Sequence, residues 1–333
     1  NFPPFEGYLH DGKIYGRGTQ DMKCVVIQYI IAIKRLKESG YIPLRTIRLS
    51  FVPDEEIGGI DGMKVLMGSK WFSEKSIAIA LDEGLASEDE HYSIFYGERL
   101  PWWLNVTAVG NTGHASRLIE GTAVEQIMGV VNRAMRFRYR QKELLNNKCT
   151  HSGGCSHSVA ANLGDVTSLN MTKFHTNADG STEAFNVIPA VVQAGFDIRL
   201  SPHVDPSDMM IEIDTWCQEA QSAVPGIPEN GGIKWEFDKS TTNMTHCTTS
   251  TDSTVNPWWG VITKCLSEEN GIQTVPMVFP AATDSRFLRE LGIKAFGFSP
   301  IRNSPILLHE HDEYIHESVF LEGCSVYVSL IAK

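Results

Sequence analysis

Residues 22 to 36 place Met22, Val25, Val26, Tyr29, Ile30, Ile33 and Leu36 at intervals of three and four, the spacing of one helical face. Lys34, Arg35 and Lys37 fall in the last turns, where cations suit the negative end of a helix, and Gly40 can close it. Just upstream, "GYLHDGKIYG" sets Asp11-Gly12 between short apolar stretches, a favoured hairpin turn. "RTIRLSFVP" alternates and is β-branched, which predicts a strand. A short helix is expected around Met63 to Met67, and "SIAIALDEG" predicts another strand. This β–α–β order predicts a mostly parallel sheet with helices on its faces, in which ligands gather at the carboxyl ends of the strands.

The pattern changes near Pro101. "WWLNVTAVG" predicts a strand and "GTAVEQIMGVVNRAMRFRYRQKELL" a long helix. "GDVTSLNMTKF" and "FNVIPAVVQAGFDIRLS" predict strands, Asp205 to Ala223 a helix, and "IKWEFDK" a strand. The order βαββαβ is that of a small split unit with helices on one face of an antiparallel sheet. From Asn256 the alternation of helix and strand resumes. The fold class expected is α/β, formed by residues 1–100 and 245–333 and interrupted by an inserted α+β domain at 101–244.

Composition narrows the function. A net charge of −11 over 333 residues argues against nucleic acid and against an anionic membrane surface. No apolar run approaches the ~20 residues that span a bilayer. Seven scattered cysteines in a chain of this length point to reduced thiols and a cytoplasmic protein. The chain starts without Met and without a signal peptide, so it is expected to begin inside a longer protein.

Acids mark the predicted strand ends. "FVPDEEIGG" runs from an apolar strand into Asp54, Glu55 and Glu56, and "ALDEG" ends in Asp82 and Glu83. Asp21 opens a helix, and "LLHEHDE" sets His309 and His311 among three acids. Adjacent carboxylates repel, so solvent, a cation or a held proton must compensate. Each cluster alone could be a helix cap, a turn or a solvated pair. Four of them at loop ends favour a metal centre of oxygen ligands with one or two imidazoles, which suits zinc, manganese or cobalt. "CTHSGGCSH" also carries metal-binding letters, but its spacing fits no closed zinc template. The arginines of the long helix, from Arg133 to Arg140, read as a solvated face. A nucleotide-binding reading lacks a Gly-rich phosphate loop.

Taken together, "GRGTQDMK", "FVPDEEIGG", "ALDEG", "GHAS", "PAATDSR" and "LLHEHDE" resemble the dinuclear zinc aminoacylase/carboxypeptidase family of metallohydrolases. "PWW", "NVIPA", "NPWW" and "GFSP" extend the likeness over nearly the whole chain, with residues 146–162 divergent. The resemblance implies two zinc ions bridged by Asp21, with Glu56 and His309 on one and Glu83 on the other. It implies Glu55 as general base. His114 would stabilise the oxyanion, reaching the site of a partner subunit in a homodimer from an inserted lid and dimerisation domain. Asn186, Arg199 and Arg286 would bind a small N-acyl amino acid. The family's site also begins with a His-x-Asp motif on an early strand, and none is expected anywhere in this chain. The chain is therefore expected to enter the family pattern after that motif and to be inactive alone. A dipeptidase or carboxypeptidase of the same family, and a dimerising pseudoenzyme, are the competing expectations.

Overall fold

The computed structural model describes residues 1–73, 76–148, 161–181, 184–241 and 244–333. The segment "CTHSGGCSH" lies outside the described residues. The chain divides into two units, one made of Asn1–Glu98 and Cys247–Lys333, the other of 99–148 and Asn162–His246.

The first unit opens with the hairpin β1 (Tyr8–His10) and β2 (Lys13–Tyr15). Asp11 and Gly12 both take positive φ, as a tight two-residue turn requires. Helix α1 (Lys23–Glu38) follows and buries Val25, Tyr29, Ala32 and Leu36. Gly40 (φ +76°) lies just beyond its end. Two short helices, α2 (Met63–Met67) and α3 (Lys70–Ser73), precede strands β3 (Ala80–Asp82) and β4 (Tyr92–Glu98).

The second unit begins with β5 (Leu100–Val109), the two-residue β6 (Gly113–His114) and the long helix α4 (Ala123–Lys148). Then come β7 (Ser168–Thr176), β8 (Val187–Ile188), β9 (Val191–Leu200), α5 (Pro206–Ser222) and β10 (Gly232–Phe237). Its antiparallel sheet has the order β10-β5-β9-β7. Trp102, Leu104, Val106, Phe196 and Ile198 alternate inward and pack with Ile127, Ala134, Ile213 and Trp216 of the helices. Asp205 caps α5, its Oδ1 accepting the Ser207 N–H at 2.7 Å.

The chain returns to the first unit with α6 (Pro257–Lys264), β11 (Thr274–Phe279), α7 (Ser285–Glu290), β12 (Ala295–Phe298), β13 (Tyr314–His316) and α8 (Glu317–Ile331). Its sheet runs β11-β4-β12-β3, with β11–β4 and β12–β3 parallel and β12–β4 antiparallel. The expected α/β class with a mostly parallel sheet and an inserted α+β domain is present.

Two expectations need correction. Residues 45–53 form no strand: Phe51 is 58% exposed, and the sheet ends at β3 without a ladder for them. Alternation selects an extended strand only where a neighbour takes its hydrogen bonds. The strand read in "SIAIALDEG" shrinks to Ala80–Asp82. In turn, β4 holds a place in the middle of the sheet that the periodicity reading passed over, although "YSIFYG" is rich in aromatic and β-branched residues.

Candidate metal centre

Four loops of the first unit converge on one open cleft, lined by Gln20, Asp21, Glu55, Glu56, Glu83, Leu308 and His309 among others. Asp21 sits in the crossing from β2 to α1. Glu55 and Glu56 lie on a single 3-10 turn, Glu55–Ile57. That turn is bracketed by left-handed Asp54 (φ 62°) and Gly58 (φ 114°), so the backbone reverses sharply where the extended segment ends. Glu83 follows the end of β3, and His309, at φ 62°, follows an apolar run.

His309 Nε2 lies 3.1 Å from Asp21 Oδ2 and 3.0 Å from Glu56 Oε2. One ligand atom from each of these residues falls within 4.8 Å of the others, the only such group among the described residues. His311 is exposed and stands outside it. Behind this group the acids crowd. Burial, then the charges of Asp82 and Glu55, and a hydrogen bond to Asp21 push the Glu83 carboxyl up to about 11. Burial, then Asp284, Glu56 and Asp82 push Glu55 up to about 8, against the opposing pull of Arg286. The donor set fits a cation: two carboxylates and one imidazole already face a common point, and further acids lie close enough to repel.

Arg286, on α7, donates from Nη2 to Gly58 O at 2.7 Å and lies over the Phe287 ring. It thereby ties α7 to the Glu55–Glu56 turn. Asp284 precedes it, with Oδ1 buried and unpaired. Deeper, Arg289 Nη1 meets Glu98 Oε1 at 3.0 Å, and Glu98 also accepts the Thr283 N–H. The spacing rules passed over this buried pair.

His114, Asn186 and Arg199 belong to the second unit. His114 lies on β6, whose partner is β8, and the Ala115 N–H donates to Asn186 O at 2.9 Å, so these two are neighbours. His114 Nδ1 accepts the Ser116 N–H at 3.2 Å. Arg199 is held by Asp197 through two bonds of 3.0 Å. One His-x-Asp triplet does exist, His203-Val204-Asp205, but not on an early strand. His203 faces Asp165, and Asp205 is the cap of α5.

Sequence reasoning missed Gln20 and Glu313, whose side chains tie the Asp21 loop to the segment that carries His309. Their partners lie almost 300 residues away along the chain, beyond any local spacing rule.

The family described as Peptidase family M20/M25/M40 matches residues 1–333. The chain is similar to the aminoacylase-1 of Dictyostelium discoideum, 43% identical, with 98% of this chain and 76% of that protein covered. It is 42% identical to the aminoacylase-1A of Rattus norvegicus, over 99% of this chain and 74% of that one. Among solved structures, a tripeptidase of Staphylococcus aureus shares the fold with a TM-score of 0.65 at 17% identity, covering 97% of this chain and 74% of its own. An M20 family metallo-carboxypeptidase of Sulfolobus solfataricus does so with a TM-score of 0.60 at 16% identity, over 100% of this chain and 80% of its own.

Proposed function

The chain belongs to peptidase family M20/M25/M40, and from that premise we propose a zinc-dependent amidohydrolase that removes the acyl group from N-acyl-L-amino acids. The observation that carries this reading is the meeting of Asp21, Glu56 and His309 beside Glu55 in one cleft. The names of the relatives at 43% and 42% identity support the substrate class.

In this reading Asp21, Glu56 and His309 hold one zinc, and Asp21 with Glu83 provides for a second. When bound, the metal lowers the pKa of water and polarises the acyl carbonyl. Glu55 accepts a proton from water and returns it to the amide nitrogen as the C–N bond breaks. The water oxygen leaves in the released carboxylate, and the nitrogen leaves as the free amine of the amino acid. Arg286 is a candidate for the substrate carboxylate, a role that a guanidinium's paired donors suit. Arg199 would take that role only by exchanging its Asp197 partner. With His114 Nδ1 turned to the Ser116 N–H, Nε2 is the ring nitrogen left to donate to a developing oxyanion. We assign this role to His114 in the site of a second copy, with the inserted domain as lid and dimer interface and the cytoplasm as location.

A non-catalytic reading has one observation in its favour. The described lining offers one imidazole, His309, and the first position takes it, which leaves two carboxylates, Asp21 and Glu83, for the second. Hydrolysis of N-acetyl-L-methionine and of a methionine dipeptide by the protein, with and without chelator, separates the readings. The expected result is chelator-sensitive release of methionine, faster from the acetyl compound. Preference for the dipeptide would assign a peptidase, and no hydrolysis of either by zinc-loaded protein would assign a pseudoenzyme.

A further inference from the structure

The loop 16–21 has no regular structure, so its N–H groups need acceptors from elsewhere. One side chain supplies half of them, those of Gly18, Gln20 and Asp21. Glu313, 2% exposed, accepts Arg17 Nη1 at 2.7 Å and the Gly18 N–H at 3.2 Å on Oε2. On Oε1 it accepts the N–H groups of Gln20 at 2.6 Å and Asp21 at 3.3 Å. Both oxygens are therefore committed to the loop that presents Asp21. Bonds to an ionised acceptor are about twice as strong as neutral ones.

The reverse tie is made by Gln20, 4% exposed. Its Nε2 donates to Pro305 O and Tyr314 O, both at 2.9 Å, and its Oε1 accepts the Leu307 N–H at 2.9 Å. These atoms flank His309 on both sides. The segment needs such support, since His309 and Asp312 both hold left-handed backbone (φ 62° and 58°), which non-glycine residues adopt at a cost. Each loop thus sends one buried side chain into the backbone of the other, and the two presented ligands end 3.1 Å apart.

We propose that Gln20 and Glu313 form a reciprocal clamp that sets the separation of Asp21 and His309 and so fits the centre to its cation. They are positioning residues, and the inference rests on the metal-centre reading. Glu313→Gln tests it with little change in size. An amide keeps one acceptor oxygen and turns an NH₂ towards backbone N–H groups, so the Asp21 loop must shift. The probe is Co²⁺ alone, titrated into the chelator-stripped protein and read by its visible absorption, well below the unfolding temperature of every variant. Groups that orient metal ligands are worth about 10–100-fold in affinity. Glu313→Gln and Gln20→Met are each expected to bind Co²⁺ at least about 10-fold more weakly, with an altered ligand-field spectrum. Both variants remaining folded but matching the parent in affinity and spectrum would overturn the clamp and leave the metal centre standing. A parent that binds Co²⁺ no better than His309→Ala would overturn both. If Glu313→Gln fails to fold, Gln20→Met alone decides, because Glu313 keeps its backbone partners in that variant.

Discussion

Glu55 and Glu56 occupy one turn, yet their surroundings assign them different work. Glu56 meets His309 at 3.0 Å, whereas Glu55 sits among Asp284, Asp82 and Arg286. Glu56→Gln should therefore lower zinc content by elemental analysis after dialysis, and an unchanged stoichiometry would contradict its role as ligand. The crowded acids also fix a pH dependence for the metal-stripped protein. Glu55 is raised to about 8 and Asp284 to about 6, burial being the largest cause for both, while the unfolded chain titrates them near 4. At these two groups the folded state then binds more protons than the unfolded one across this window, so the stability they contribute is complete below about pH 4 and is lost as pH rises through 6 and then 8. The urea midpoint of chelated protein should fall between pH 5 and 8, and fall less in Glu55→Gln. A midpoint that rises over that range would refute the assignment. At this scale the sequence was informative: Asp21, Glu55, Glu56, Glu83 and His309 all stand in acid-rich motifs at loop ends, and all line one cleft. Gln20 and Glu313 were not legible, because a glutamine beside an aspartate carries no sign of a partner near residue 307.

Elements were legible where they satisfy themselves. The first hairpin, α1 and, apart from the two-residue β6 and β8, the βαββαβ succession of the second unit follow from periodicity and turn residues. Residues 45–53 were not, since a strand's fate rests on its neighbour rather than on its own alternation. The central position of β4 was missed for the same reason, because pairing with β11 and β12 joins segments about 180 to 200 residues apart. Strand packing also reaches the site. Gly297 on β12 lies so close to Glu83 that an added side-chain carbon would collide with the Glu83 carbonyl oxygen. Gly297→Ala should cost about 1–3 kcal/mol by overpacking and weaken metal binding together with stability. Asp205→Ala removes only the cap of α5, with an expected loss of about 1 kcal/mol and unchanged zinc content. Equal metal affinity in Gly297→Ala and the parent would show that the strand does not set Glu83.

For the molecule as a whole, the assembled site is proposed to need two copies. His114→Ala and Glu55→Gln proteins, each inactive, should recover activity when co-refolded, because one site of the mixed dimer keeps both residues. No recovery in proven heterodimers would place His114 in its own chain's chemistry or outside it. The reading of this chain as a metal-dependent acyl hydrolase rests on a proton carried by Glu55, beside ligands that remain when that proton carrier is lost. The most direct measurement is the rate of N-acetyl-L-methionine hydrolysis by Glu55→Gln protein whose zinc content matches the parent's. A loss of about 10²–10⁴-fold is expected, the usual share of a general acid–base group, at equal metal content. Turnover within a few-fold of the parent at the same zinc content would contradict it.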